Sequence, residues 1–99
     1  MILILDHVQT YSTYADGEVI YRLIVAELQA GRPVTVSFAG IKSITSAFAN
    51  AALIRLVEKF EFDYIRSNVK IVDSTRQINR LIKDRFHFAT TEQASPVGR

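Results

Sequence analysis

The sequence contains no cysteine, two histidines and four glycines, and each shortage removes a class of chemistry. Without cysteine, the chain forms no disulfide and offers no thiol nucleophile or thiolate metal ligand. His7 and His87 lack a histidine or a paired carboxylate at ligand spacing, so we expect surface or partly packed side chains. The glycines stand singly, which excludes a glycine-rich phosphate loop, and no two carboxylates are spaced as an acid–base pair. We expect no enzyme activity, no metal and no cofactor.

Long apolar runs and a large net charge are absent as well. The N-terminal run, residues 1–5, has no basic residue before it and is followed at once by Asp6, so it does not resemble a signal peptide. No stretch approaches the roughly 20 apolar residues of a membrane span. The net charge of +2 is too small to imply strong attraction to nucleic acid or to a membrane. A cytoplasmic protein without membrane contact is expected.

Apolar residues at helical spacing predict three helices, of which the first is the best marked. It covers residues 14–30 and follows Thr13, with Asp16 three residues later, an arrangement typical of a helix start. Gly31 stands where a left-handed C-cap is needed, so the helix is predicted to end there.

The second helix begins near Ser46 and is rich in alanine at first, which permits close approach of another element. Arg55 is expected to face solvent, and residues 63–68 are expected to form a polar connection. The third helix covers residues 75–86, and Ser74 with Gln77 is predicted to form a capping box at its start.

Short apolar runs predict strands at residues 2–5, 34–38 and 69–72, and residues 6–14 either continue the first strand or form another. Strands that alternate with helices indicate an α/β fold. We expect a small mixed or mainly parallel sheet of about four strands, with three helices packed on it.

The chain is long and apolar enough for one domain, since 48% of its 99 residues are hydrophobic. The predicted domain covers residues 1–88. Residues 89–99 are mostly small and polar and have little to bury, so a disordered tail is predicted there.

In α/β sheets, ligands bind beyond the carboxyl ends of the strands, which here means loop 39–46 and the turn at 72–75. Thr45 and Ser46 lie there, directly before the second helix. In the simpler interpretation, one of the two hydroxyls only caps that helix. In the other, the hydroxyl is regulatory: a phosphate would be stabilised by free N–H groups and by the helix dipole, and its charge would expel an apolar partner.

Arg76, Arg80 and Lys83 recur at i, i+4 and i+7 and form a basic stripe on the last helix. Such a stripe can contact phosphates. With Asp84 beside it, however, it is more typical of the solvated face of an amphipathic helix. Nucleic-acid binding is therefore less favoured than an interaction or structural role.

The segments Phe38-Ala-Gly-Ile and Ile44-Thr-Ser-Ala-Phe-Ala-Asn resemble the core of a STAS-like family of uncharacterised bacterial proteins. The order of elements over residues 1–87 is also similar to that of the wider STAS group, the anti-sigma factor antagonists. In the antagonists, a partner kinase with a GHKL-type ATP-binding fold phosphorylates a serine at the start of the corresponding helix, and this blocks binding. The resemblance implies that Ser46 occupies the position of that serine.

These observations predict a small regulatory interaction module whose implied partner is a signalling protein, such as a GHKL-type kinase. Ser46 is the first candidate for phosphorylation and Thr45 the second. The candidate contact surface comprises Gly40, Ile41, Lys42, Ser43, Ala47, Phe48 and Asn50. The alternative is a structural or small-ligand-binding domain without catalysis, for example a homodimer formed through the apolar segment Ile2–Leu5.

Overall fold

Within residues 1–94, three parallel strands form the sheet of the molecule. The computed structural model describes the backbone of residues 1–94 and the side chains of residues 1–90. The strands β1 (Ile2–Leu3), β2 (Val34–Ser37) and β3 (Val69–Val72) lie side by side in the order β1-β2-β3. Ile2 is aligned with Val36, and Val36 with Ile71, so apolar side chains line one face of the sheet.

Residues 1–94 contain four α-helices, which are α1 (Tyr14–Gln29), α2 (Ser46–Ala52), α3 (Phe62–Asn68) and α4 (Arg76–Ala94). Two short 3₁₀ helices, Ile4–Asp6 and Ile54–Glu58, follow β1 and α2. α2 packs against both α1 and α4. α1 lies in the crossover from β1 to β2, and α2 and α3 lie in the crossover from β2 to β3. Because the strand order follows the chain order and such crossovers are right-handed, these three helices form a layer on one face of the sheet, which α4 joins through its contact with α2. The hydrophobic core lies between this layer and the sheet.

Local sequence signals explain both ends of α1. The Thr13 hydroxyl accepts a hydrogen bond from the Asp16 N–H at 3.1 Å, which confirms the predicted start. At the other end, the Arg32 N–H donates to the Glu27 carbonyl at 3.0 Å. This cap requires a left-handed residue between them, and Gly31, with φ of 79°, supplies it.

α1 and α2 approach each other closely at Gly17, which is buried. A Cβ at this position would lie 2.6 Å from the carbonyl oxygen of Phe48 and 2.8 Å from the Cβ of Ala51. Atoms do not approach so closely without a shift of the backbone, so only glycine fits here. The alanine-rich part of α2 is therefore used for contact with α1, and we call this contact the α1–α2 junction.

The sheet has three strands, all parallel, where the sequence predicts about four. Only Ile2–Leu3 of the predicted strand 2–5 pairs with β2. The chain then turns so that Ile4, which is 0% exposed, enters the core. Residues 6–14 form no strand, because the chain uses them to cross over to α1.

The helix that the sequence does not predict is α3, which occupies the segment expected to be a polar connection. The predicted second helix stops at Leu53 (φ −123°, ψ −48°) and continues as the 3₁₀ helix Ile54–Glu58. This tighter turn places Leu56 in the core, with 0% exposure. Two apolar side chains fix α3 to the core: Ile65 is buried, at 3% exposure, and Phe62 packs against the core from the start of the helix.

α4 continues to Ala94, past its predicted end at residue 86. Residues 89–94 are thus helical, although the sequence predicts disorder from residue 89 onwards. Ala89 still packs against the core, which explains why the helix extends beyond Phe86. Residues 95–99, the rest of the predicted tail, lie outside the described residues, and the domain boundary at residue 88 stays a prediction.

Candidate functional site

Three helices begin at the carboxyl edge of the sheet, and a threonine caps each of them. The hydroxyl oxygens of Thr13, Thr45 and Thr75 accept hydrogen bonds from backbone N–H groups three residues later, at 3.1, 3.2 and 3.2 Å. Each hydroxyl satisfies an N–H group that the first turn of a helix leaves unpaired. The three threonines therefore fix where α1, α2 and α4 begin.

Two of these threonines also join neighbouring loops. The Thr45 hydroxyl donates to the Ser12 carbonyl at 2.7 Å, and the Thr75 hydroxyl donates to the Lys42 carbonyl at 2.7 Å. Both bonds connect residues 33 apart in the sequence. They link the starts of α1, α2 and α4 into one series of contacts, which we call the threonine clasp. The sequence does not predict which carbonyl groups these threonine hydroxyls bind, because the partners are distant along the chain.

The capping box predicted from Ser74 and Gln77 is wrong, because Thr75 caps α4. Ser74 instead donates to Oδ1 of Asn79 at 2.6 Å. The helix begins at Arg76, where Thr75 can both cap it and bond to the loop of residue 42.

Thr45 and Ser46 have different roles, which the sequence leaves open. Thr45 is the N-cap of α2, and its hydroxyl is used twice, as acceptor and as donor. Ser46 is the first residue of α2 and is exposed, and its hydroxyl bonds to no residue in the part of the chain that the structure describes. The Ser46 hydroxyl is therefore accessible to another protein.

A buried serine and an aspartate, which no motif in the sequence marks, hold the same edge. Ser37, at the end of β2, is 1% exposed, and its hydroxyl donates to Oδ2 of Asp73 at 2.8 Å. Ser37 Oγ in turn accepts from the Ala39 N–H at 3.2 Å. Asp73 has φ of 56°, a left-handed conformation that is uncommon for a residue with a side chain. A hydrogen-bonded aspartate tolerates it better than most residues. The pair fastens the turn after β2 to the end of β3.

The predicted contact surface is only partly accessible. The exposed members are Gly40, Lys42, Ser43 and Ala47. Ile41 and Phe48 are 3% and 0% exposed and belong to the hydrophobic core, so their placement on the surface is wrong. Asn50 is partly buried, and its Oδ1 accepts a hydrogen bond from Nε of Arg85 at 3.3 Å, which ties α2 to α4.

Arg55 lies partly buried beside α1, although the sequence suggests a solvent-facing side chain. Its guanidinium carbon is 4.2 Å from the ring centroid of Tyr21 and 5.8 Å from that of Tyr14. Nη1 of Arg55 donates to the Glu18 carboxylate at 3.4 Å. The aromatic faces and the carboxylate together compensate the charge, so Arg55 fastens the segment after α2 to α1.

The Asp16 carboxylate, at the start of α1, has a lowered pKa. It accepts a hydrogen bond from the Thr10 hydroxyl. This bond is the largest cause of the lowered pKa of Asp16, and a hydrogen bond with the Thr13 side chain is the second. The ionised form is favoured at the start of α1, where the helix dipole also favours negative charge.

The basic stripe predicted on the last helix is exposed at Arg76, Arg80 and Lys83. Arg76 and Arg80 border shallow depressions that they share with Asp84. Lys83 also lines a cleft between α3 and α4, again with Asp84. The carboxylate among these cations reduces the positive field along the stripe.

The apolar segment Ile2–Leu5 is largely used inside the molecule. Ile2 and Ile4 are 7% and 0% exposed, whereas Leu5 is 40% exposed. The side chains left for self-association are thus fewer than the sequence suggests, and the homodimer stays a prediction.

Within residues 1–90, no three histidine or carboxylate side chains are grouped so as to hold a metal ion. Among the helices of residues 1–94, none has both the length and the apolar character needed to cross a lipid bilayer.

A family model described as a STAS-like domain of unknown function matches residues 16–79. The chain belongs to this STAS-like family. The matched span of the STAS-like domain runs from the first turn of α1 to the first turn of α4, so it includes Ser46, Thr45 and Thr75. The resemblance inferred from residues 38–50 is thereby confirmed. No curated protein and no solved structure matches the chain at a significant level.

Proposed function

We propose that this STAS-like domain is a non-enzymatic interaction module of a signalling system, regulated at Ser46. Its contact surface would be the exposed residues beside the threonine clasp, which are Gly40, Lys42, Ser43, Ser46 and Ala47. The observation that carries the proposal is the separation of roles between Thr45 and Ser46. Thr45 supplies the helix cap, so the Ser46 hydroxyl is not needed for the fold and remains exposed.

Phosphorylation of Ser46 would change this surface strongly. It would add nearly two negative charges next to the exposed Ala47. A partner that covers Ala47 with apolar side chains would have to remove water from those charges, which is costly without a compensating cation. The fold itself would tolerate the phosphate, since negative charge is favourable at the first position of a helix.

The partner class follows from the resemblance to the anti-sigma factor antagonists. A kinase with a GHKL-type ATP-binding fold would bind the unmodified domain, phosphorylate Ser46 and then release it. What supports this assignment is the exposed hydroxyl at the position that the resemblance implies.

The test uses a GHKL-type kinase encoded in the same genome and compares Ser46 with Ser43, an exposed serine on the same surface. Wild type, Ser46→Ala and Ser43→Ala are incubated with kinase and ATP, and intact masses are measured. We expect an adduct of about 80 Da, the mass of a phosphoryl group, on wild type and Ser43→Ala and none on Ser46→Ala. Calorimetry should show that Ser46→Asp binds the kinase at least about tenfold more weakly than Ser43→Asp.

A stability control separates regulation from folding. Thr45→Ala should lower the free energy of unfolding by about 1 kcal/mol because the cap is lost. Ser46→Ala should change it by less than about 0.5 kcal/mol, as for other exposed positions. The proposal is overturned if Ser46→Asp and Ser43→Asp bind the kinase equally well and wild type acquires no adduct.

A further inference from the structure

The cleft between α3 and α4 shares no residue with the surface proposed above. Its volume is about 550 Å³, within the range of roughly 300–1,000 Å³ that is usual for small-molecule sites. Lys83, Phe86, His87 and Thr90 line it at spacing i, i+3, i+4 and i+7 and so form one stripe of α4. α3 supplies the opposite wall, so two helices hold the cleft open.

Two aromatic rings form the apolar part of the cleft. Phe62, at the start of α3, and Phe86, in the middle of α4, have ring centroids 5.3 Å apart and planes tilted by 47°. Phe86 is 9% exposed, which fixes its position through the core, whereas Phe62 is half-buried. Rings in this tilted geometry offer both a face and an edge to a further aromatic ring.

The rim of the cleft is cationic. The guanidinium carbon of Arg66 lies 5.7 Å from the ring centroid of Phe62, so this charge stands directly beside the aromatic part. Arg66 and Lys83 are both exposed, and within the described side chains neither forms an ion pair with a carboxylate. Asp84 is the carboxylate that lines the same cleft. Two permanent cations therefore face one anion.

Thr90 does not add a donor. Its hydroxyl already donates to carbonyls of its own helix, to that of Phe86 at 2.8 Å and to that of His87 at 3.2 Å. The permanently charged donors that remain for an anionic ligand are the cations of Arg66 and Lys83, which are suited to a carboxylate or sulfonate.

We propose that the α3–α4 cleft binds a small aromatic anion, such as an aryl carboxylate. The ring of the ligand lies against Phe62 and Phe86, and its anionic group faces Arg66 and Lys83. This inference does not depend on the function proposed for Ser46.

The test is a fluorescence titration of the full chain with the aromatic sulfonate 8-anilinonaphthalene-1-sulfonate, with its uncharged relative N-phenyl-1-naphthylamine as the matched probe. The variants are Arg66→Gln with Lys83→Gln, and the control Arg80→Gln, an exposed cation of α4 outside the cleft. We expect saturable binding of the sulfonate at one equivalent. The double variant should bind it about tenfold more weakly, the loss expected for removal of charge-assisted hydrogen bonds, and Arg80→Gln should bind it as wild type does. Binding of the uncharged probe should not change among the variants.

Several outcomes would overturn the proposal. One is the absence of saturable sulfonate binding, and another is an equal loss in the Arg80→Gln control. A third is an equal loss for both probes in a double variant whose circular dichroism spectrum is that of wild type, because the loss would then not depend on the charge of the ligand. Displacement of the dye by a short acidic phenylalanine-containing peptide, but not by benzoate, would assign the cleft to a peptide segment instead.

Discussion

The α1–α2 junction and the α3–α4 cleft are both contacts between helices, but they differ in the space that they leave. At the junction, a methyl group at Gly17 would overlap the Phe48 carbonyl, so the two backbones touch. In the cleft, two phenylalanine side chains stand between the helices, and a volume of about 550 Å³ remains. The comparison shows that the size of the side chains at the contact determines whether two helices close or leave a site. The first contact is closed, and the second leaves the space in which the aromatic anion is proposed to bind.

Truncation of a phenylalanine at each contact should give the largest difference. Phe48→Ala, at a residue with 0% exposure, should lower the free energy of unfolding by about 3–5 kcal/mol through lost burial and a cavity. Phe62→Ala should cost less, because its side chain is already partly exposed to solvent. Urea denaturation measures both values. Equal losses of stability would contradict the tighter packing of the α1–α2 junction.

Substitution of Gly17 tests the tight junction by the sign of its effect. Alanine is the better helix former by about 1 kcal/mol, but its Cβ would meet backbone and Cβ atoms of α2 at less than 3 Å. Gly17→Ala should therefore destabilise the protein by about 1–3 kcal/mol.

The control for Gly17 is the reverse change at an exposed position of the same helix. Ala26→Gly should destabilise by about 1 kcal/mol through helix propensity alone, since Ala26 is exposed. If Gly17→Ala stabilised the protein, as helix propensity alone predicts, then α1 and α2 would not be in backbone contact at this position.

The smallest effect concerns Asp16, which precedes Gly17 at the start of α1. Because the pKa of Asp16 is lowered in the folded protein, the ionised carboxylate stabilises the fold above its unfolded pKa of about 3.9. This contribution is lost as the pH falls through the folded pKa. Thr10→Val removes the larger cause, so the pKa of Asp16 should rise toward its ordinary value in an NMR titration. An unchanged pKa would show that the Thr10 hydroxyl does not bind the carboxylate in solution.

The sequence predicted those elements whose signals are local. Thr13 and Gly31 mark the ends of α1 because capping depends on a few neighbouring residues, and the structure confirms both. The strands β2 and β3 are likewise visible as short apolar runs between breakers. α3 was missed because a helix of 7 residues shows less than two turns of periodicity.

The parts of the candidate site that depend on distant partners could not be read from the sequence. The pattern allows Thr45 or Ser46 to cap α2, and what distinguishes them is the Ser12 carbonyl, 33 residues away from Thr45. The bond between Ser37 and Asp73 depends on the register of β2 and β3, which brings Val72 beside Ser37. Burial of Ile41 and Phe48 depends on the same assembly of strands and helices.

The threonine clasp has a mechanical consequence. Each of its two links is a threonine hydroxyl on a backbone carbonyl at 2.7 Å, and a threonine side chain positions its hydroxyl through a single torsion angle. The backbone of Lys42 is therefore coupled to the start of α4 through Thr75. In the same way, Thr45 is coupled to the loop before α1 through Ser12. If the proposed partner binds beside the clasp, the two bonds already hold the loop backbone in place, so little conformational entropy would be lost on association.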